Sequence, residues 1–238
     1  MQFSGVLFDK DGTLFDFHGT WGQWAYGFLM ELSGGDTLRL QTLANALDYD
    51  AGIKRFLPTS PAVAGTPGEI AECLLPHLLG TTPSALITHI NRTAAVAPLT
   101  EATPLVPLLG RLRSKGIKLG CVANDAEAPA RAHLKTAGIC DLMDFVAGFD
   151  SGYGAKPEPG QLLAFCDRMG FAPEQVLMVG DSRHDLIAAR AAGMVSVGVL
   201  TGLAAEADLA PLADVVLPDI GGIPGWLNDL ELVSTAAQ

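Results

Sequence analysis

Apolar residues follow two rhythms along this chain of 238 residues. Val6-Leu7-Phe8 is a continuous apolar run, the pattern of a strand buried on both faces. After Leu14 the spacing turns helical: Trp21, Trp24, Ala25, Phe28, Leu29 and Leu32 recur at three- and four-residue intervals, and Gly34-Gly35 ends the segment. This aromatic stripe is the packing face of a helix, with room for one tryptophan to line a pocket. A second helix is expected over Thr37 to Leu47. A polar stretch rich in proline and glycine runs from Pro58 to Pro67. Thr66-Pro67-Gly68-Glu69 then reads as a capping box with proline at the first helical position, followed by the apolar face Ile70, Ala71, Leu74, Leu75 and Leu78. Thr82-Pro83 opens a fourth helix carrying Leu86, Ile87 and Ile90. The block from Phe17 to Pro98 is thus expected to be helical, without a strand.

From Thr103 onward strands and helices alternate. Helices are expected over Leu105 to Lys115, Glu127 to Thr136 and Gln161 to Met169, with another capped by Ser182 and running to Ala192. Strands are expected over Ile117 to Ala123, Phe145 to Phe149, Val176 to Val179, Val195 to Val199 and Val215 to Leu217. Strands apolar on both faces and separated by helices predict an α/β fold, a doubly wound, Rossmann-like parallel sheet covered on both sides. Val6 to Phe8 belongs to that sheet, so the helical block is an insertion after the first strand. The expected organisation is an α/β core over 1–16 and 99–238 with a small helical cap over 17–98, hinged near Leu14–Phe17 and Pro98–Thr103.

Composition narrows the function. With 49% hydrophobic and 17% charged residues the chain can bury a core. A formal net charge of -11 and a pI near 4.7 argue against nonspecific nucleic-acid binding, which needs basic surface. Cys73, Cys121, Cys140 and Cys166 share no CxxC spacing and sit in apolar stretches, as expected of buried free thiols in a reducing compartment. The chain enters its first strand within a few residues, leaving no room for a signal peptide, and no apolar run approaches the ~18 residues that span a bilayer. A soluble cytoplasmic protein without a membrane partner is expected.

The polar residues with chemical potential fall at predicted strand ends, where ligands of open parallel sheets bind. Asp9 and Asp11 follow the first strand and can project to the same side, with Gly12 permitting the turn that lifts them clear. Asn124 and Asp125 follow the second core strand, and Gly180-Asp181-Ser182 follows Val176 to Val179, with Asp185 three residues on. Lys156 precedes Pro157, which biases it into a loop. Singly, Asp9 to Gly12 also fits a polar turn, Asp181 a turn residue, Asp185 a helix first-turn carboxylate and Lys156 a solvated loop lysine. Together, several carboxylates and one lysine on one edge imply a hard divalent cation and an anion pocket, the requirements of phosphoryl chemistry.

The ordered set Asp9-Lys10-Asp11-Gly12-Thr13, Asn124, Lys156-Pro157 and Gly180-Asp181-Ser182-x-x-Asp185 resembles the haloacid dehalogenase-like hydrolases, and within them the phosphoglycolate phosphatase type. The resemblance covers the core, about 1–15 and 103–218. It implies Asp9 as the nucleophile that forms an aspartyl-phosphate, and Asp11 as the acid that protonates the leaving alcohol and then activates water. It implies Mg²⁺ held by Asp9, the Asp11 main-chain carbonyl and Asp181, with Asp185 and Ser182 supporting that site from behind. Lys156 would offset charge on Asp9 and the phosphoryl group, and Gly12, Thr13, Ala123 and Asn124 would bind the phosphoryl oxygens beside it. An aspartate at position 11 favours a phosphate ester over a C–halogen or C–P bond.

Two positions depart from the family pattern. Ala123 stands where relatives carry threonine or serine, a hydroxyl worth roughly 1.5–3 kcal/mol against a charged oxygen. Lys10 stands where many relatives carry an apolar residue, and strand alternation points it away from the nucleophile. The expected activity is Mg²⁺-dependent hydrolysis of a small, phosphoglycolate-like phosphorylated metabolite. A phosphomutase shares the same intermediate, and a phosphometabolite-binding protein without catalysis is the reading that Ala123 alone would favour. Basic residues in the insertion are few, and Lys54 and Arg55 fit a solvated surface pair better than a substrate site.

Overall fold

The computed structural model describes residues 3–57, 59–62 and 65–236, the last six as backbone only; Pro58 and the chain ends of the expected core lie outside the described residues. The first strand, β1 (Gly5–Phe8), is fully buried. Val6 and Phe8 face one apolar layer and Leu7 the other, as alternation requires.

The insertion follows with α1 (Phe17–Ser33), α2 (Thr37–Ala46), the short strands β2 (Tyr49–Asp50) and β3 (Arg55–Phe56), α3 (Pro67–Leu74) and α4 (Pro83–Ala94). The antiparallel pair β2–β3 corrects the expectation of a block without strands. Two residues per strand are too few to set up a period in the sequence. The hairpin turn is held by the Asp50 carboxylate, which accepts from the Gly52 and Ile53 amides at 2.8 and 3.1 Å. The expected capping box is present: Thr66 accepts from the Glu69 amide, and Glu69 accepts from the Thr66 amide. Asp16 caps α1 by accepting from the Gly19 amide at 2.6 Å, a contact of about 1 kcal/mol. Trp21, Phe28, Leu43, Leu74, Leu86 and Ile90 form a hydrophobic core within this block.

The remaining elements are α5 (Leu105–Ser114), β4 (Lys118–Val122), α6 (Glu127–Thr136), β5 (Phe145–Ala147), α7 (Gly160–Met169), β6 (Val176–Gly180), α8 (Arg183–Ala192), β7 (Val195–Val199), α9 (Glu206–Leu209), β8 (Val215–Leu217) and α10 (Ile223–Ala236). The six-stranded sheet runs in the order β5-β4-β1-β6-β7-β8, all parallel. Leu105, Leu109 and Leu134 cover one face with Ile223 and Leu227 of α10, while Leu162, Phe165, Ala188 and Ala189 cover the other. Each such large side chain contributes about 1.5–3 kcal/mol on burial.

From β1 the chain passes to β4 and β5 on one side and then crosses back to β6 on the other, so the strand order reverses beside β1, at the kind of switch point where such sheets bind ligands. The two connections to the insertion run side by side: Asp16 N donates to Thr100 O at 2.7 Å, and Ala102 N donates to Leu14 O at 3.0 Å. No described helix is long and apolar enough to cross a membrane. All four cysteines are free; Cys121 and Cys166 are buried, but Cys73 and Cys140 are only half-buried, because each lies at the edge of its apolar layer.

Candidate active site

Three carboxylates and a lysine meet beyond the ends of β1 and β6. Lys156 Nζ donates to Asp9 Oδ1 at 2.5 Å, to Asp185 Oδ1 at 2.6 Å and to Val122 O at 3.1 Å. A buried ammonium costs several kcal/mol unless paired. Burial works against its charge, but Asp185 and Asp9 outweigh that and hold its pKa above the ordinary range. The loop that delivers Lys156 is pinned by Asn124, whose amide oxygen accepts from Lys156 N and whose amide nitrogen donates to Lys156 O, both at 2.9 Å. Asp185 is fixed from its other oxygen by the Ser182 amide at 3.1 Å and the Ser182 hydroxyl at 2.6 Å, closing a box at the start of α8.

Asp181 lies beside them, so that Asp9, Asp181 and Asp185 each bring a carboxylate oxygen within 4.8 Å of the others. Thr13 Oγ1 donates to Asp181 Oδ1 at 3.4 Å. Gly12, at φ +81, and Gly202 both press against Asp181, and a Cβ at either would collide with its carboxylate. Burial, helped by Asp185 and Asp11 and opposed by Lys156, pushes the Asp9 carboxyl up to about 7. Burial and the neighbouring Asp9 and Asp185 raise Asp181 as well. Buried carboxylates that repel one another, offering only hard oxygen donors, fit a cation such as Mg²⁺.

Lys10 makes a second centre. It is fully buried and turned from Asp9, as strand alternation predicts, but its ammonium grips Asp11 through both oxygens, at 2.9 and 2.7 Å. It also lies 3.2 Å from Asp125 Oδ2, 3.1 Å from His133 Nδ1 and 5.0 Å from the centre of the Trp21 ring. An ammonium has only protons to give, so His133 Nδ1 accepts and Nε2 carries the proton it donates to Ala94 O at 2.6 Å. Burial and the Lys10 charge hold the His133 pKa below its usual value.

A family model for haloacid dehalogenase-like hydrolases matches residues 3–193. The chain belongs to the haloacid dehalogenase-like hydrolases. It is 31% identical to a phosphoglycolate phosphatase of Shigella boydii over 95% of this chain and 90% of that one. It is 41% identical to one of Rhodospirillum rubrum over 51% of this chain, and that alignment spans only 50% of the relative's length. A solved structure of a predicted phosphoglycolate phosphatase from Haemophilus somnus 129pt shares the fold, with a TM-score of 0.70 at 21% identity over 94% of this chain and 98% of that one.

As a haloacid dehalogenase-like hydrolase the chain brings Asp9, Asp11, Asn124, Lys156, Asp181, Ser182 and Asp185 to one cavity. Ala123 does not line it: its methyl is fully buried among the side chains beneath the sheet end, and its carbonyl accepts from Gln161 Nε2 at 3.1 Å. Gly12 and Thr13 shape the surroundings of Asp181. Phe17, Trp21 and Trp24 of the insertion line the cavity, so the helical stripe both packs and faces the site. Lys54 does not reach it; it bonds Gln23 Oε1 at 3.0 Å and covers the Tyr26 ring, and Arg55 is exposed. Sequence reasoning missed Gly202 and Thr201, whose hydroxyl donates to Gly12 O at 2.6 Å, and the Asp125–His133 side of the Lys10 centre. A conspicuous buried lysine between two aspartates was the signal for the last of these.

Proposed function

We propose that this chain is an Mg²⁺-dependent phosphomonoester hydrolase acting on a small phosphorylated metabolite. The observation that carries the reading is Lys156 bridging Asp9 and Asp185 beside Asp181, with the Asp11 carboxylate on the same cavity. Asp9 attacks phosphorus, the bond to the ester oxygen breaks, and Asp11 gives that oxygen its proton, leaving an aspartyl-phosphate. Asp11 then takes a proton from the water that attacks this phosphorus, and Asp9 is released. Lys156 keeps Asp9 aligned and offsets the charge gathering on the phosphoryl oxygens. Asn124 serves by holding the Lys156 loop, and Ser182 by holding Asp185. Mg²⁺ would be held by Asp9, Asp181 and the Asp11 carbonyl, and would supply positive charge balancing the carboxylates and the phosphoryl group.

The similarity to phosphoglycolate phosphatases makes 2-phosphoglycolate the reference substrate. Four free thiols, two of them buried and two half-buried, fit a reducing compartment, and we place the enzyme in the cytoplasm. The test is release of inorganic phosphate from a panel of phosphate esters with Mg²⁺ and with chelator. Turnover should need the metal, and Asp9→Asn should reduce it at least about a thousandfold while the circular dichroism spectrum persists. Near-wild-type activity in folded Asp9→Asn removes the nucleophile assignment. A requirement for a bisphosphate activator, with no net phosphate release, makes the protein a mutase.

A further inference from the structure

Two spaces open from the phosphoryl site, and they differ in chemistry. One is a wide mouth whose polar lining includes Thr66, Glu69, Glu158, Arg183 and Asp208. The other is a narrower cavity, partly open to solvent, walled on the insertion side by Phe17, Trp21, Trp24, Phe56, Ile70 and Ile90. Lys156 and Asp181 border both, whereas the Asp9–Asp11 pair borders only the aromatic cavity among these two.

That asymmetry decides where the leaving group goes. In the reaction proposed above, Asp11 protonates the ester oxygen, so the alcohol portion extends into the space that Asp11 borders. The basic side chains of that space are Lys156, already spent on Asp9 and Asp185, and the exposed His184. None of Arg39, Lys54, Arg55 or Arg92 of the insertion lines it. A second anion on the substrate would lie beside Asp11 and Asp125 against an aromatic wall, where the Lys10 ammonium is already paired with both carboxylates. Trp24 presents its ring to this wall, packed against Trp21 and Phe28.

We propose that the substrate is the phosphate monoester of an apolar alcohol, bearing a ring or branched carbon skeleton and no anion besides the phosphoryl group. This rests on the phosphatase reading and narrows it away from 2-phosphoglycolate, whose carboxylate would find no basic side chain there but the exposed His184 and the already paired Lys156.

The experiment compares kcat/KM for benzyl phosphate, ethyl phosphate and 2-phosphoglycolate on the full-length enzyme with Mg²⁺. All three release alkyl-type alcohols, so leaving-group chemistry is held close. Benzyl phosphate should exceed ethyl phosphate by at least about tenfold, the scale on which a hydrophobic pocket discriminates, with 2-phosphoglycolate last. Trp24→Ala should shrink the benzyl-to-ethyl ratio, and Ile90→Arg should raise the 2-phosphoglycolate-to-benzyl ratio. Efficient turnover with 2-phosphoglycolate equal to or above benzyl phosphate overturns this inference and leaves the phosphatase standing. No turnover of any of the three overturns both.

Discussion

At the scale of single residues, the family pattern accounts for Asp9, Lys156, Asp181 and Asp185 but not for Lys10. Its ammonium holds both oxygens of Asp11 and neighbours Asp125, so it fixes the carboxylate that the proposed mechanism needs at the leaving oxygen. Lys10→Met keeps the volume and removes the charge, leaving two carboxylates to repel each other. We expect kcat to fall roughly ten- to hundredfold, as for other groups that orient a reacting side chain, with KM little changed. The loss should be larger for an alkyl ester than for p-nitrophenyl phosphate, whose leaving group needs no proton; equal losses on both would mean Lys10 serves the fold alone. The residue-level chemistry was legible because strand ends gather ligand groups, which placed Asp9, Asp11 and Asp181 before any coordinate. Position 123 was not legible in the same way. Its place in the motif marks a missing hydroxyl, but only the structure shows its methyl packed into the core and off the cavity lining.

At the scale of elements, segments with a plain apolar run or period were readable, down to the three-residue strand Val215–Leu217, and other elements went unread. The helix over Glu127–Thr136 and the strands over Val195–Val199 and Val215–Leu217 have the expected bounds, since their apolar periods run without interruption. The β2–β3 pair, four-residue α9 and the helix over Ile223–Ala236 went unassigned, the first two being shorter than any period. Contact between insertion and core lies further from sequence, because it joins residues distant along the chain. His133 of α6 donates to Ala94 O at the end of α4, and its ring packs 5.7 Å from Trp21 of α1 and 6.3 Å from Phe15. His133→Gln should cost about 1–2 kcal/mol, lowering Tm by roughly 3–6 °C at pH 8. The folded chain resists protonating His133, whose pKa lies below that of the unfolded chain. Its stabilising share is therefore full above about pH 6.5 and lost as pH falls below it. The Tm gap between wild type and His133→Gln should narrow on acidification, and a constant gap from pH 8 to pH 5.5 would contradict a neutral buried imidazole.

At the scale of the whole molecule, the parallel sheet buries carboxylates at its ligand edge and couples the stability of the fold to their charge. Asp9 is pushed up to about 7 and Asp181 is raised, both first by burial. In the unfolded chain these groups release their protons near pH 4. Between about pH 4 and 7 the metal-free folded chain therefore holds protons that the unfolded chain has given up, so its stability falls as pH rises through that window. A divalent cation that satisfies the carboxylates restores what that repulsion removes, and it competes with protons to do so. The Mg²⁺-induced rise in Tm, measured by differential scanning fluorimetry against chelator, should thus be larger at pH 8 than at pH 5.5. Asp181→Asn separates the two contributions without any assay of turnover. It removes one repelling charge, so the metal-free variant at pH 8 should melt about 2–6 °C above metal-free wild type, corresponding to about 1–2 kcal/mol. It also removes a ligand, so most of the Mg²⁺-induced rise should disappear. A variant that melts below metal-free wild type at pH 8, or that keeps the full Mg²⁺ response, would place the cation somewhere other than among these aspartates.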